Sequence, residues 1–214
     1  MLSAGLQIVW PERWTRVGEA DEIFLYSVDG VHCRTNEAIH PTLAKNTKLF
    51  SHKFNQAGVG YELAVSLREN AFVWMNGPFV ASKHDVTIFR ENGLKEQTPI
   101  NKKGIADKGY QGEKDILCTP NSQDTAELRK FKVSAAMSRR LPFAVPEIHI
   151  VSPILYHHQT RARARHETFN ARIKNFACLD ARFRHGMSKH KICFEAVCVI
   201  VQYQLENGAP LFDL

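Results

Sequence analysis

A chain of 214 residues with 44% hydrophobic and 23% charged content suits one folded α/β domain with a substantial core. Five cysteines (Cys33, Cys118, Cys178, Cys193, Cys198) are odd in number and form no CxxC pair, which excludes a disulfide framework and points to reduced thiols; no ligand spacing among the ten histidines supports a structural zinc site. The net charge of +6 is unevenly placed: residues 161–191 hold nine Lys and Arg (161, 163, 165, 172, 174, 182, 184, 189 and 191) against Glu167 and Asp180, so the rest of the chain sums to −1. There is no signal-peptide pattern, and the longest apolar run, Ala196 to Val201, is far too short to span a bilayer, so neither secretion nor a membrane anchor is expected.

In chain order, residues 1–22 show little periodicity and hold Trp10-Pro11 and Trp14, which reads as a leading arm ahead of a domain over 23–214. Ile23 to Cys33 (IFLYSVDGVHC) is a β-rich run with Asp29-Gly30 near its end. Arg34 to Gly60 is polar, with Pro41, Gly58 and Gly60, and is expected to be an extended loop whose Lys45, Lys48, His52 and Lys53 either touch DNA or have no role beyond the surface. Tyr61–Leu67 and Ala71–Met75 read as strands joined by a tight turn at Glu69-Asn70, with Asn76-Gly77-Pro78 ending the second. Ser82 can cap a short helix over Asp85–Glu91, where Asp85 serves the helix dipole as readily as a metal. Lys103 to Gly112 (KGIADKGYQG) reads as a short strand ending on Asp107, with Gly109 and Gly112 behind it. Asp115–Thr119 is expected to be a fifth short strand, and Asp124–Lys132 a helix.

The most informative stretch is Thr160 to Phe176 (TRARARHETFNARIKNF). At helical spacing Ala162, Phe169, Ile173 and Phe176 share a side that can face a core. Arg163, Glu167 and Lys174 follow a neighbouring line, and Arg161, Arg165 and Arg172 another. One acid on a basic helix is, by itself, a salt-bridge partner. Beside two strand-end aspartates followed by glycine, which permits a sharp exit and lets a carboxylate project past the sheet edge, it completes an oxygen donor set for a hard divalent cation. The basic block around it suits a polyanion, with a solvated helical face as the plain alternative. Phe183–Gly186 reads as a basic turn, and Ser188 can cap a final helix over Lys189–Glu206 with Ile192, Ala196, Val199 and Tyr203 as its core face.

Several phrases in this order resemble one family: Asp29-Gly30-Val31-His32, SKHDVTIFR (82–90), ADKGYQG (106–112), ARARHETFNARIKNF (162–176), FRHGMSKHK (183–191) and the terminal ENGAPLFDL. The chain from about Phe24 onward is similar to the DDE-superfamily endonucleases, in particular the catalytic domain of PIF/Harbinger-type transposases. The resemblance implies an α/β, RNase H-like fold, a mixed five-stranded sheet flanked by helices, with the Asp29 strand central and the Asp107 strand its parallel neighbour. It implies Asp29, Asp107 and Glu167 as catalytic acids and metal ligands, with Asp85 a further family acid near the metals. Asp29 would bridge two divalent ions, Mg²⁺ or Mn²⁺, with Asp107 and Glu167 holding one each. DNA is the implied partner, held by Arg161, Arg163, Arg165, Arg172, Lys174, Arg182 and Arg184. The resemblance leaves room for a separate DNA-binding protein, since relatives commonly carry a helical DNA-binding domain, and for a homo-oligomer. A nuclear or otherwise intracellular location follows. His166 stands where the family usually reads Val or Ile.

One segment departs from the family pattern. Val133 to Gln159 carries Pro142, Pro146 and Pro153, lacks steady periodicity and separates phrases that lie close together in relatives. Either it is a true insertion before the catalytic helix or a translated intron, and in both cases the expectation is a loop, with at most a short strand near Ile148–Val151. The leading function is metal-dependent DNA cleavage with strand transfer. A catalytically inactive, transposase-derived DNA- or protein-binding relic is the alternative, and a ribonuclease on the same fold a third.

Overall fold

In the computed structural model, which describes residues 24–36, 49–51, 53, 55–91, 93–100, 102–120 and 153–214, the apolar run after residue 23 forms β1 (Phe24–Arg34) in the middle of a mixed sheet. Antiparallel β3 (Gln56–Ser66) lies on one side of β1 and parallel β5 (Lys103–Ala106) on the other. β3 also pairs with β2 (Phe50–Ser51) and with β4 (Phe72–Val80), both antiparallel, and β6 (Leu117–Cys118) runs parallel to β5.

Among the described residues the sheet therefore has six strands, not five. The extra one comes from the polar stretch after Arg34, where Phe50 and Ser51 pair with Ala57 and Gln56. β3 begins well before Tyr61 and is buried along nearly its whole length, so it shows no alternation that would have marked its start. Gly58 pairs with Arg34 inside the strand, where a Cβ would stand 2.8 Å from the Cys33 carbonyl oxygen. β4 likewise continues through Asn76-Gly77-Pro78 to Val80, the sheet absorbing the break as a register shift between Gly60 and Glu62.

Helices cover both faces. On one, Val31, Leu63 and Val65 pack with Phe169 and Ile173 of α3 (Pro153–Lys174) and with Phe194 and Val201 of α5 (Met187–Glu206). On the other, Val28, Ala64 and Val73 pack with Phe89 of α1 (Asp85–Glu91), Leu94 of α2 (Leu94–Gln97) and Tyr110. A single turn, α4 (Ala177–Asp180), follows α3 and buries Leu179. Among the described residues no helix is long and apolar enough to cross a membrane, and all five cysteines are free thiols.

Two expectations change. The segment 133–159 is not loop throughout: α3 begins at Pro153, so its last seven residues are helical. Proline fits there because the first residues of a helix have no intrahelical partner for an N–H. Gln159 is buried, and its Nε2 donates to Cys118 Sγ at 2.6 Å. In α5, which starts at Met187 with Gly186 rather than Ser188 as its cap, the inward face is His190, Phe194, Val197, Cys198, Val201 and Leu205. Ile192, Ala196, Val199 and Tyr203 face out. The helix is apolar on two faces, and the bulk of Phe194 together with a 2.8 Å hydrogen bond between His190 Nδ1 and Tyr61 Oη decides which one turns in. The leading arm, Lys45, Lys48 and His52, the expected helix at 124–132 and the strand at 148–151 lie outside the described residues.

Candidate active site

Val28 and Ala106 are the last residues paired in the parallel register of β1 and β5. Asp29 and Asp107 come next on their respective chains, so two carboxylates emerge side by side where the parallel pairing stops. Asp29 itself is not at a strand end, because β1 continues to Arg34 against β3 alone. Asp29 Oδ1 accepts from the Gly30 N–H at 2.8 Å, and Oδ2 accepts from Asn170 Nδ2 of α3 at 2.9 Å. Asp107 Oδ1 accepts from the Gly109 N–H at 2.7 Å and caps the short 3₁₀ turn Lys108–Tyr110. Sequence reasoning missed Asn170, although its spacing of three residues from Glu167 puts both on one helix face.

Glu167, exposed on α3, joins these acids. Ser27, Val28, Asp29, Ile105, Asp107, Arg163, His166 and Glu167 line one cleft of about 20 Å³ where β1, β5 and α3 meet.

Asp85 approaches from the other face of the sheet, the side toward which Gly30 points. A Cβ on Gly30 would stand 2.5 Å from Asp85 Oδ1. A Cβ on Gly109 would stand 2.9 Å from Asp85 Oδ2 and 3.0 Å from Asp107 Oδ1, so those oxygens are separated by no more than the sum of the two distances. Neither glycine has a positive φ. They supply room for carboxylates, not the sharp chain exit expected from sequence. Asp85 also occupies the first turn of α1, so it keeps the dipole-favoured position as well.

The acids crowd one another. Burial first, and then repulsion from Asp107, push Asp29 up to about 7, with Glu167 and Asp85 adding to the shift against the Gly30 hydrogen bond. Burial and Asp107 raise Asp85 in the same way. Carboxylate oxygens are the donors Mg²⁺ and Mn²⁺ take, and a cation would relieve the repulsion that keeps a proton on Asp29. The donor set fits such an ion. Among the described residues no three acidic, His or Cys side chains stand at ligating distances.

Beside them His166 is buried, its Nδ1 2.8 Å from Ser27 Oγ and its Nε2 without a partner. Burial lowers its pKa to about 3 and holds it neutral. Ser27 thus satisfies one of the two ring nitrogens of the polar residue that stands where the family usually reads an aliphatic one.

A family model for DDE superfamily endonuclease matches residues 28–142, more than half of the chain. This chain belongs to the DDE endonuclease superfamily. No curated protein and no solved structure matches it. The matched span contains Asp29, Asp85 and Asp107 and ends ahead of Glu167. A six-stranded mixed sheet flanked by helices is the RNase H-like fold of a DDE nuclease, and membership implies a nuclease or transposase whose substrate is DNA.

The basic residues of this DDE endonuclease divide into two kinds. Arg165 is buried; it donates to the carbonyls of Ser66, Glu69 at 2.7 Å and Phe212 at 3.0 Å, and to Asn70 Oδ1 at 3.2 Å. Arg172 donates to the Ala209 and Pro210 carbonyls, and Arg161 to that of Asp213. Lys174 donates to the carbonyls of His32 and Leu179. These four hold the fold together. Arg163 is exposed on the cleft beside Glu167, Arg184 is exposed on the turn before α5, and Arg182, also exposed, donates to Gln56 Oε1 at 2.8 Å.

A further acid of this DDE endonuclease escaped the sequence reading. Glu62 on β3 lies opposite Gly30 and is fully buried; its Oε2 accepts from Trp74 Nε1 at 3.0 Å while Oε1 has no partner. Burial pushes it up to about 8, with Asp85 adding to the shift.

Proposed function

We propose that this DDE endonuclease cleaves DNA phosphodiester bonds with two divalent ions, Mg²⁺ or Mn²⁺, held by Asp29, Asp107 and Glu167 with Asp85 alongside. The subtype we infer is a PIF/Harbinger-type transposase, its nuclease domain spanning 23–214 with an interruption at 133–159. The observation that carries the reading is that three acids, far apart in sequence, line one cleft with Arg163.

Bound at such a site, divalent ions lower the pKa of an attacking water and stabilise charge building on phosphorus. The chain's own contribution is orientation. The Gly30 N–H and Asn170 Nδ2 fix both oxygens of Asp29, and the Gly109 N–H fixes one oxygen of Asp107. Glu167, exposed on α3, is the third acid that lines the cleft. Arg163 is the nearest guanidinium available to a phosphate, with Arg182 and Arg184 placed to follow the backbone. Arg161, Arg165, Arg172 and Lys174, also candidates from sequence, commit donors to the protein's own carbonyls, so Arg163 carries the larger share. Strand transfer would replace the water by a DNA 3′-hydroxyl. A DNA substrate implies work in the nucleus or otherwise inside the cell, with a separate DNA-binding protein able to supply target choice.

Calorimetric titration with Mn²⁺ tests the reading. Binding by the wild type that Asp107→Asn weakens at least about tenfold is expected, since removing a ligand charge removes a large part of the attraction. Absence of Mn²⁺ binding, with salt-dependent DNA binding retained, would favour the inactive relic.

A further inference from the structure

The face of α5 turned away from the sheet is apolar over three turns. Ile192 is 64% exposed, Val199 52% and Tyr203 65%, and Ala196 is exposed between them. The spacing 192, 196, 199, 203 alternates four and three residues, which is the seam of a helix pair. Continuing the alternation one step in each direction reaches Lys189 and Glu206, both exposed. The seam therefore begins with a cation and ends with an anion.

We propose that this seam docks a second copy of the same chain, with the two α5 helices antiparallel about a two-fold axis near residues 197 and 198. In that arrangement Ile192 faces Tyr203 of the partner subunit, Ala196 faces Val199 of the partner subunit, and Lys189 faces Glu206 of the partner subunit. Two-fold symmetry makes each of these contacts twice. A parallel pairing sets Lys189 against Lys189 and Glu206 against Glu206, so charge selects the antiparallel one, and the helix dipoles favour it too. The neighbouring charges do not oppose it: Lys191 pairs with Glu195 at 3.7 Å along the same helix, and Gln202 Nε2 donates to only one oxygen of Glu206 at 2.7 Å.

A helix of 20 residues is about 30 Å long, and pairing two of them buries less than the roughly 800 Å² per partner of a standard interface. The dimer is therefore weak, with a dissociation constant on the order of micromolar or above. It is independent of the metal chemistry and of the nuclease reading.

Sedimentation equilibrium of the full chain, from roughly 1 to 200 μM to bracket that affinity, gives the test. A reversible monomer–dimer equilibrium is expected, weakened at least about tenfold by Val199→Asp, which buries a charge in the seam. Lys189→Glu and Glu206→Lys should each weaken it by about tenfold, because either change places like charges opposite each other twice. An equimolar mixture of those two variants should recover wild-type association, as should the doubly exchanged chain. Recovery on mixing cannot come from another segment of the same chain lying over the seam. A monomer across the whole range, a dimer indifferent to Val199→Asp, or a mixture no better than its components overturns the proposal. All three substituted side chains are exposed in the monomer, and unchanged circular dichroism confirms that the fold is intact.

Discussion

Ser27 Oγ lies 2.8 Å from His166 Nδ1, tying the strand that carries Asp29 to the helix that carries Glu167. Both partners are buried; removing Ser27 leaves neither ring nitrogen of His166 a hydrogen-bond partner, while removing His166 leaves Ser27 Oγ only a long 3.5 Å bond to the Val65 carbonyl. Ser27→Ala and His166→Ile should each cost roughly 1–3 kcal/mol in urea unfolding. The double variant should cost clearly less than the sum, because it removes both polar groups together. Additive losses would show that the pair is not coupled.

The same histidine sets an acid limb. Its folded pKa, about 3, lies below its ordinary 6.5, so the unfolded chain takes up a proton before the native one does. Its stabilising contribution is present above pH 6.5 and is lost as pH falls toward 3. Thermal melts between these limits should show His166→Ile less acid-sensitive than the wild type.

Asp29 and Glu62 act in the opposite direction. Their pKa values are raised to about 7 and about 8, from 3.8 and 4.5, so the native state holds protons that the unfolded chain has lost. The stability this gives is full at low pH and disappears as pH rises through 7 and 8. In metal-free buffer, Asp29→Asn and Glu62→Gln should each raise stability at pH 8, by on the order of 2 kcal/mol, and flatten the decline. Glu62→Gln keeps an acceptor for Trp74 Nε1. Added Mn²⁺ should raise the melting temperature of the wild type and leave that of Asp29→Asn nearly unchanged; an equal rise in both would separate the ion from Asp29.

Arg163 and Arg165, two residues apart on α3, should behave as different kinds of residue. Arg165→Ala removes donors to the carbonyls of Ser66, Glu69 and Phe212 and should cost roughly 3 kcal/mol or more, with Arg165→Lys recovering little because an ammonium lacks the planar fork. Arg163→Ala should leave stability within about 0.5 kcal/mol while weakening DNA binding and reducing its salt slope by about one. A large stability loss at Arg163, or none at Arg165, would reverse the division.

That Asp29, Asp107 and Glu167 come to line one cleft was legible from the order of the motifs they sit in, since none of the three acids is specific alone. The adjacency of Asp29 and Asp107 followed from two β-rich runs belonging to one parallel pair. What the glycines do was not legible: whether a glycine relieves backbone strain or makes room for Asp85 depends on which helix comes to lie beside it. The basic block was misleading for a similar reason. Arg161, Arg165 and Arg172 all donate to carbonyls between Ala209 and Asp213, and nothing local announces that the C-terminal segment folds back along α3. The orientation of α5 was ambiguous because both its faces are apolar, and only packing against Tyr61 and its neighbours chooses between them.

The most direct measurement is nicking of supercoiled DNA by purified protein in Mg²⁺ or Mn²⁺, comparing wild type with Asp29→Asn. The wild type should convert supercoiled to nicked circles only when the ion is present, and Asp29→Asn should give no conversion above buffer while keeping its circular dichroism spectrum. Equal nicking by the two proteins would contradict the assignment of Asp29 as the central acid of the site.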